Sequence, residues 1–342
     1  MGTTLVTGGA GFIGSRFVEL LFDREPDEEI IVLDVLTYAA DVRNIPPRIR
    51  ESPRFRLVEG NVCSVGLVQE LVAGADRVVH FAAESHVTRS IADDHPFFET
   101  DVMGTLSVAS AVSRNLSRIW RLVHVSTSEV YGTALRDPMD EHHPLNPCTP
   151  YAAAKCGADR LVHAYRETYG IPTVIVRPFN NYGPRQHLEK LVPRFVTAAL
   201  DGQPLTVHGD GRMTRDWLYV GDTCEAIWRA LTSMPALGEV VNLGTGVDTS
   251  VLDVAHMILA AAGKPRSLIR HVEARPGQVD RHISSTARAR ELLGGWQHET
   301  GLVKGIQETV RWYADNREWW AGKKDGAVVD VTCDKRQIAG AF

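Results

Sequence analysis

Thr7-Gly8-Gly9-Ala10-Gly11-Phe12-Ile13-Gly14 is the most informative stretch of the chain. Before it, Thr3–Thr7 is a short apolar and β-branched run. After it, Ile13, Phe17, Leu20 and Leu21 fall at i, i+4, i+7 and i+8, one face of a helix. A strand that turns through glycines into a helix is a dinucleotide-binding unit. Gly8, Gly11 and Gly14 permit a tight turn, a close pyrophosphate approach and close helix packing, and the first-turn N–H groups face phosphate. Asp34 ends the next strand, about 20 residues on, where a carboxylate binds both ribose hydroxyls. Its charge repels a 2′-phosphate, so NAD is expected rather than NADP.

Further strands are expected at Glu29–Asp34, Phe55–Glu59, Arg77–Phe81, Leu122–Ser126, Thr173–Arg177 and Val240–Leu243. Their Val, Ile and Leu content, with helices between them, predicts a parallel sheet covered on both faces. The fold class is therefore α/β, a Rossmann-like doubly wound parallel sheet. One long helix is expected from Pro150, capped by Thr149, to Gly170. After residue 178 Pro, Gly and Arg become frequent, which predicts a smaller, partly interleaved α/β substrate domain. The expected division is 1–178 with about 215–243 for the first domain, 179–214 and 244–322 for the second, and a partly ordered tail over 323–342.

At 342 residues the chain has room for two domains, and 37 Lys+Arg against 42 Asp+Glu leave a net charge of −5. That balance argues against nucleic acid or an anionic membrane as the main partner. No apolar run reaches the ~18 residues of a membrane span. No targeting segment is read at the N-terminus. The five cysteines are scattered without C-x-x-C spacing, so no metal site or disulfide framework is expected, and a reducing cytoplasm is the simplest compartment.

Tyr151-Ala152-Ala153-Ala154-Lys155 puts a phenol and an ammonium at i and i+4, on one helical face. Lys155 is expected to bind the nicotinamide ribose and favour the phenolate, so that Tyr151 acts as a base. Upstream, Thr127-Ser128-Glu129 follows the strand at 122–126, at the edge of an open sheet where ligands bind. Thr127 is expected on the sugar 4-hydroxyl, and Glu129 is an acid/base candidate. His142 and His143 are read as a solvated loop, and Trp319 and Trp320 as packing.

The glycine spacing resembles the extended short-chain dehydrogenase/reductase superfamily, and further stretches narrow the resemblance to its nucleotide-sugar branch, above all dTDP-glucose 4,6-dehydratases. They include Leu36-Thr37-Tyr38-Ala39, His80-Phe81-Ala82-Ala83-Glu84-Ser85-His86-Val87, Arg177-Pro178-Phe179-Asn180-Asn181-Tyr182-Gly183-Pro184, Glu189-Lys190 and Arg215-Asp216-Trp217-Leu218-Tyr219-Val220. The resemblance implies that Phe12, Ile13, Asn61, Val62 and Ala82 line the NAD site. It places Ser85, His86, Asn181, Lys190, Leu191, Arg215, Asn242 and Arg281 at the nucleotide-sugar substrate, with Arg215 and Arg281 paired to its diphosphate. It also implies a homodimer through helices near 101–114 and 151–169.

Three positions depart from that pattern. Ser128 stands where those dehydratases carry an Asp that protonates the departing hydroxyl. Thr-Ser-Glu is similar instead to GDP-mannose 4,6-dehydratases and UDP-glucuronate decarboxylases. Asp101 replaces an Asn, and Thr88 an Asp. The leading expectation is 4,6-dehydration through a transient 4-keto sugar. Decarboxylation of a nucleotide glucuronic acid stands second and 4-epimerisation third. A non-catalytic dinucleotide sensor is the reading from another class, and an intact Tyr151, Lys155 and Glu129 speak against it.

Overall fold

The computed structural model describes residues 2–273 and 281–326. Seven strands form the main sheet: β1 (Thr3–Thr7), β2 (Glu29–Asp34), β3 (Phe55–Glu59), β4 (Arg77–His80), β5 (Arg121–Val125), β6 (Thr173–Pro178) and β10 (Val240–Leu243). Their order is β10-β6-β5-β4-β1-β2-β3, and every pairing is parallel. The chain therefore winds outward twice from β1, leaving a crevice at the carboxyl edge between β1 and β4.

The apolar runs are nearly continuous because each strand is buried on both faces. Val6, Val32, Val79 and Val123 point into one core, with Phe17 and Ile227 above them. Their neighbours Leu5, Ile31, Val78 and Leu122 point into the other, against Leu71, Val108 and Val162. A one-residue slip would exchange the two sets, so this alternation fixes the register. The long helix spans Pro150–Tyr169: the Thr149 hydroxyl accepts from Ala152 N at 3.2 Å, and Gly170 closes it in the left-handed conformation at φ 68°. The strand ends shift by one residue from expectation, β4 stopping at His80 and β5 starting at Arg121.

The second lobe has its own core. β7 (Asn180–Tyr182), β9 (Thr214–Tyr219) and β11 (Asp248–Ser250) form a three-stranded sheet, and β8 (Leu205–His208) pairs with β12 (Ile269–Val272). Helices Leu191–Leu200, Val251–Ala261 and Leu302–Asp315 cover them around Phe195, Ile258 and Tyr313. The expected split placed 215–243 wholly with the first domain. The Val220–Thr232 helix and β10 lie there, but β9 pairs with second-lobe strands. Strand alternation is the reason: Trp217 faces the second core and Leu218 the first, so β9 stitches the two together. Of the expected tail, residues 327–342 lie outside the described residues.

Candidate active site

Four chain segments reach the carboxyl edge of the sheet: the glycine turn after β1, Asp34 at the end of β2, residues 81–86 after β4 and residues 126–129 after β5. Gly8 sits at φ 71°, and a Cβ there would lie 2.6 Å from Ala82 N. A Cβ on Gly14 would lie 2.2 Å from the carbonyl of Gly8. Only glycine lets the turn close against Ala82 and lets the Phe12–Arg24 helix start so near it. That helix has Gly11 as N-cap, no side-chain cap and no acid in its first turn, so its N-terminal N–H groups suit a phosphate. Phe12 and Ile13 pack back onto the sheet core.

The carboxylate of Asp34 accepts from Ala10 N and Leu36 N, each at 2.9 Å. Burial pushes its pKa up while these two bonds hold it down. It therefore braces the glycine turn as well as presenting a charge to a ribose. Asn61 is exposed, and its side-chain oxygen accepts from Cys63 N at 2.8 Å. Val62 is buried against Gly104. The glycine cradle, the uncapped helix and the buried carboxylate together fit NAD.

Tyr151 and Lys155 project from the first turns of the Pro150–Tyr169 helix. Tyr151 N donates to the Ser90 hydroxyl at 3.1 Å, and its ring meets Phe97 edge-on at 6.2 Å. Burial is the main force pushing the phenol pKa up, and the charges of Asp101 and Glu129 add to it; a hydrogen bond with Thr127 opposes them. The sequence reading gave the lowering role to Lys155. The structure adds Thr127, whose hydrogen bond lowers the phenol pKa, and the Lys155 ammonium donates to the Val125 carbonyl at 2.9 Å. Burial lowers the Lys155 pKa, and Asp101 and Asp159 pull it back up.

Thr127 also accepts from Glu129 N at 3.2 Å, which caps the short Ser128–Tyr131 turn. Ser128 is buried and Glu129 half-buried. The charge of Glu129 acts on Tyr151, Lys190 and His282.

On the second-lobe side a cavity of about 210 Å³ is lined by Asn181, Lys190, Leu191, Arg215 and Trp217 among others. Four of the expected substrate residues thus share one wall. Asn181 is fixed by Phe179 O and by the Thr223 hydroxyl. Lys190 donates to the carbonyl of Ser85, which ties the two lobes together. His86 caps the Val87–Ala92 helix by accepting from Arg89 N at 3.0 Å.

Three further residues make contacts that the sequence did not predict. Asn242 is fully buried: it donates to Met139 O at 3.1 Å and accepts from the Tyr131 hydroxyl at 2.7 Å. Both ends of its amide are engaged by the scaffold. Arg281 is exposed and pairs with Asp137 and Asp248 on the surface. His143 is buried, accepts from Leu135 N at 2.9 Å and meets the Tyr131 ring edge-on, because the loop folds over the β10 edge. A second cavity, of about 310 Å³, opens at that edge. Its Arg160 and Arg288 already pair with Asp159 and Glu239.

Sequence reasoning missed the buried network under the site. Asp159, fully buried, takes two bonds of 2.9 Å from Arg177 and one of 2.7 Å from the Ser126 hydroxyl. Arg177 donates onward to the Tyr131 hydroxyl at 2.9 Å. The signal was present, since Asp159 lies four residues after Lys155 and eight after Tyr151, on their helical face. Among the described residues no His/Cys/Asp/Glu group is arranged to hold a metal, and no helix is long and apolar enough to cross a membrane.

The family model for GDP-mannose 4,6 dehydratase matches residues 5–309. A dTDP-glucose 4,6-dehydratase of Streptomyces niveus is 43% identical over 320 residues, covering 92% of this chain and 94% of that protein. A dTDP-glucose 4,6-dehydratase from Streptomyces venezuelae, solved with NAD bound, superposes with a TM-score of 0.89 at 42% identity, covering 94% of this chain and all of that one. A UDP-glucuronic acid 4-epimerase from Bacillus cereus gives 0.85 at 27% identity, over 92% of this chain and 99% of that one.

Proposed function

The chain belongs to the GDP-mannose 4,6 dehydratase family, and from that premise we propose that it converts a nucleoside-diphosphate hexose to the 4-keto-6-deoxy sugar with a retained NAD. The observation that carries this reading is the placing of Glu129. It follows Thr127, which hydrogen-bonds the phenol, and its charge acts both on Tyr151 and on Lys190, a residue that lines the second-lobe cavity. An epimerase needs no second acid/base there, whereas a dehydratase needs one beside C5.

NAD, when bound, supplies the acceptor for the C4 hydrogen and its return to C6. Gly8, Gly14, the N-terminus of the Phe12–Arg24 helix and Asp34 would hold it. The residues of the chain manage protons. Tyr151 takes the 4-hydroxyl proton, with Thr127 hydrogen-bonded to the phenol. The 4-ketone acidifies the C5 hydrogen, which Glu129 removes, and the C6 hydroxyl leaves with a proton as water; C5 would take a proton from solvent as C6 is reduced, and Tyr151 would give its proton back to solvent. Ser128 is too weak an acid to supply that proton, so Glu129 passes on the one it has just taken. Lys190, Arg215 and Asn181 border the cavity for the diphosphate and nucleoside. The thymidine nucleotide is the first candidate, following the names of the relatives at 42–43% identity.

Exposed Phe98, Met103 and Tyr169, on the helices at 98–104 and 150–169, support pairing into a homodimer. The four described cysteines are free, which suits a reducing compartment.

The test is product analysis by NMR after incubation with dTDP-glucose, UDP-glucose, GDP-mannose and UDP-glucuronic acid. A 4-keto-6-deoxy product from a hexose is expected. Release of CO₂ from the glucuronate with no hexose product would replace dehydration by decarboxylation.

A further inference from the structure

Asp101 is a buried carboxyl that the mechanism above does not use. It lies in the Phe98–Gly104 helix, which packs on the Pro150–Tyr169 helix, and it is fully buried. Its Oδ1 accepts from Glu84 N at 2.7 Å, and its Oδ2 has no hydrogen-bond partner. The charge of this carboxylate acts on both members of the catalytic pair, raising the pKa of Tyr151 and of Lys155 alike. The other carboxylate acting on Lys155, Asp159, is engaged by Arg177, Arg160 and Ser126. Asp101 has no such partners.

We propose, on the dehydratase reading, that Asp101 is a positioning residue that sets the pH window of the Tyr151–Lys155 pair. Ionised, it keeps the buried ammonium of Lys155 charged and makes the phenol of Tyr151 harder to ionise. Removing its charge lowers both pKa values together. The groups facing it are Lys155 and Tyr151 from the long helix, Glu84 from the segment after β4, and Cys63 from the segment after β3; Glu99 shares its own helix. Lys155 favours the ionised form of Asp101 and Glu84 the neutral form, while burial, the largest influence, brings its titration to about 7. An amide at this position would keep the bond from Glu84 N but carry no charge, so the window follows from the carboxylate.

The experiment uses the holoenzyme and dTDP-6-deoxyglucose, which has a 4-hydroxyl to oxidise and no 6-hydroxyl to eliminate. The pH profile of bound-cofactor reduction is read by absorbance for the wild type, Asp101→Asn and Asp101→Glu. In Asp101→Asn both limbs of the profile move to lower pH, by about one unit for loss of one nearby charge. Asp101→Glu keeps the charge, and its limbs stay near those of the wild type. Independently of turnover, carbon NMR of labelled aspartate in the wild type shows a carboxyl titrating near pH 7 that is missing from Asp101→Asn. Unmoved limbs, limbs moving apart, or an Asp101→Asn protein that does not fold would overturn the proposal. No cofactor reduction by the wild type at any pH, with the carboxyl titration present, would overturn the dehydratase reading instead.

Discussion

Replacing Asp159 by Asn separates the scaffold beneath the site from the site itself. The carboxylate is fully buried and takes two bonds from a guanidinium whose side chain is only 3% exposed. Desolvation opposes the charge, but the bonds from Arg177 and Arg160 outweigh it and hold the Asp159 pKa well below the usual carboxylate range. An amide offers one acceptor where two are needed and leaves Arg177 buried without its counter-charge. Breaking one side of a buried pair costs about 3–5 kcal/mol. At roughly 2 °C per kcal/mol for a chain of this size, the melting temperature falls by roughly 6–10 °C. A folded-state pKa below the unfolded one means that the stabilisation is fully present above about pH 4 and is lost as pH falls further. Denaturant unfolding of both proteins at matched concentration should therefore show a constant gap from pH 7 to about 5, narrowing below about 4. A gap under about 1 kcal/mol at pH 7, or one that does not narrow in acid, would refute this account of the network.

Gly8→Ala must place a Cβ 2.6 Å from Ala82 N at a positive φ; the protein should emerge without NAD, as read by assaying the supernatant after denaturation. Tyr151→Phe keeps the ring packed on Phe97 but removes the base, so oxidation of the 4-hydroxyl should drop by about 10²–10⁴-fold in single turnover. Glu129→Gln should still reduce the bound cofactor but stall before water leaves, giving a lasting absorbance of reduced nicotinamide; normal product formation would remove Glu129 from the C5 step. If Glu129 hands the C5 proton to the leaving oxygen, the hydrogen later added at C5 comes from solvent. Product made in D₂O should then carry deuterium at C5, and retention of the original hydrogen there would contradict that role.

The sheet was legible because its signals are local. Strand alternation such as Leu5/Val6 and Val78/Val79, the glycine turn and the Thr149–Pro150 helix start each need only a few neighbouring residues. The Tyr151 and Lys155 pair was legible for the same reason, since helix geometry alone puts i and i+4 together. Polar partners are another matter, because a hydrogen bond is chosen by whatever the fold brings within 3 Å. Asn242 reads as a substrate ligand, and nothing local shows that β10 places it between Met139 and Tyr131, a hundred residues away in sequence. Arg281 reads as a diphosphate partner, and sequence spacing gave no sign of the ion pairs it makes with Asp137 and Asp248. The same limit hid two further bonds: spacing put Tyr151 and Lys155 on one face but did not show that Val125 O would take the ammonium and Thr127 the phenol. The Ser128 and Asp101 departures then belong to one problem. With Ser128 too weak an acid to supply a proton, the proposed mechanism has Glu129 both take and return one. Asp101 is fully buried with one oxygen unpartnered, and its charge acts on both Tyr151 and Lys155.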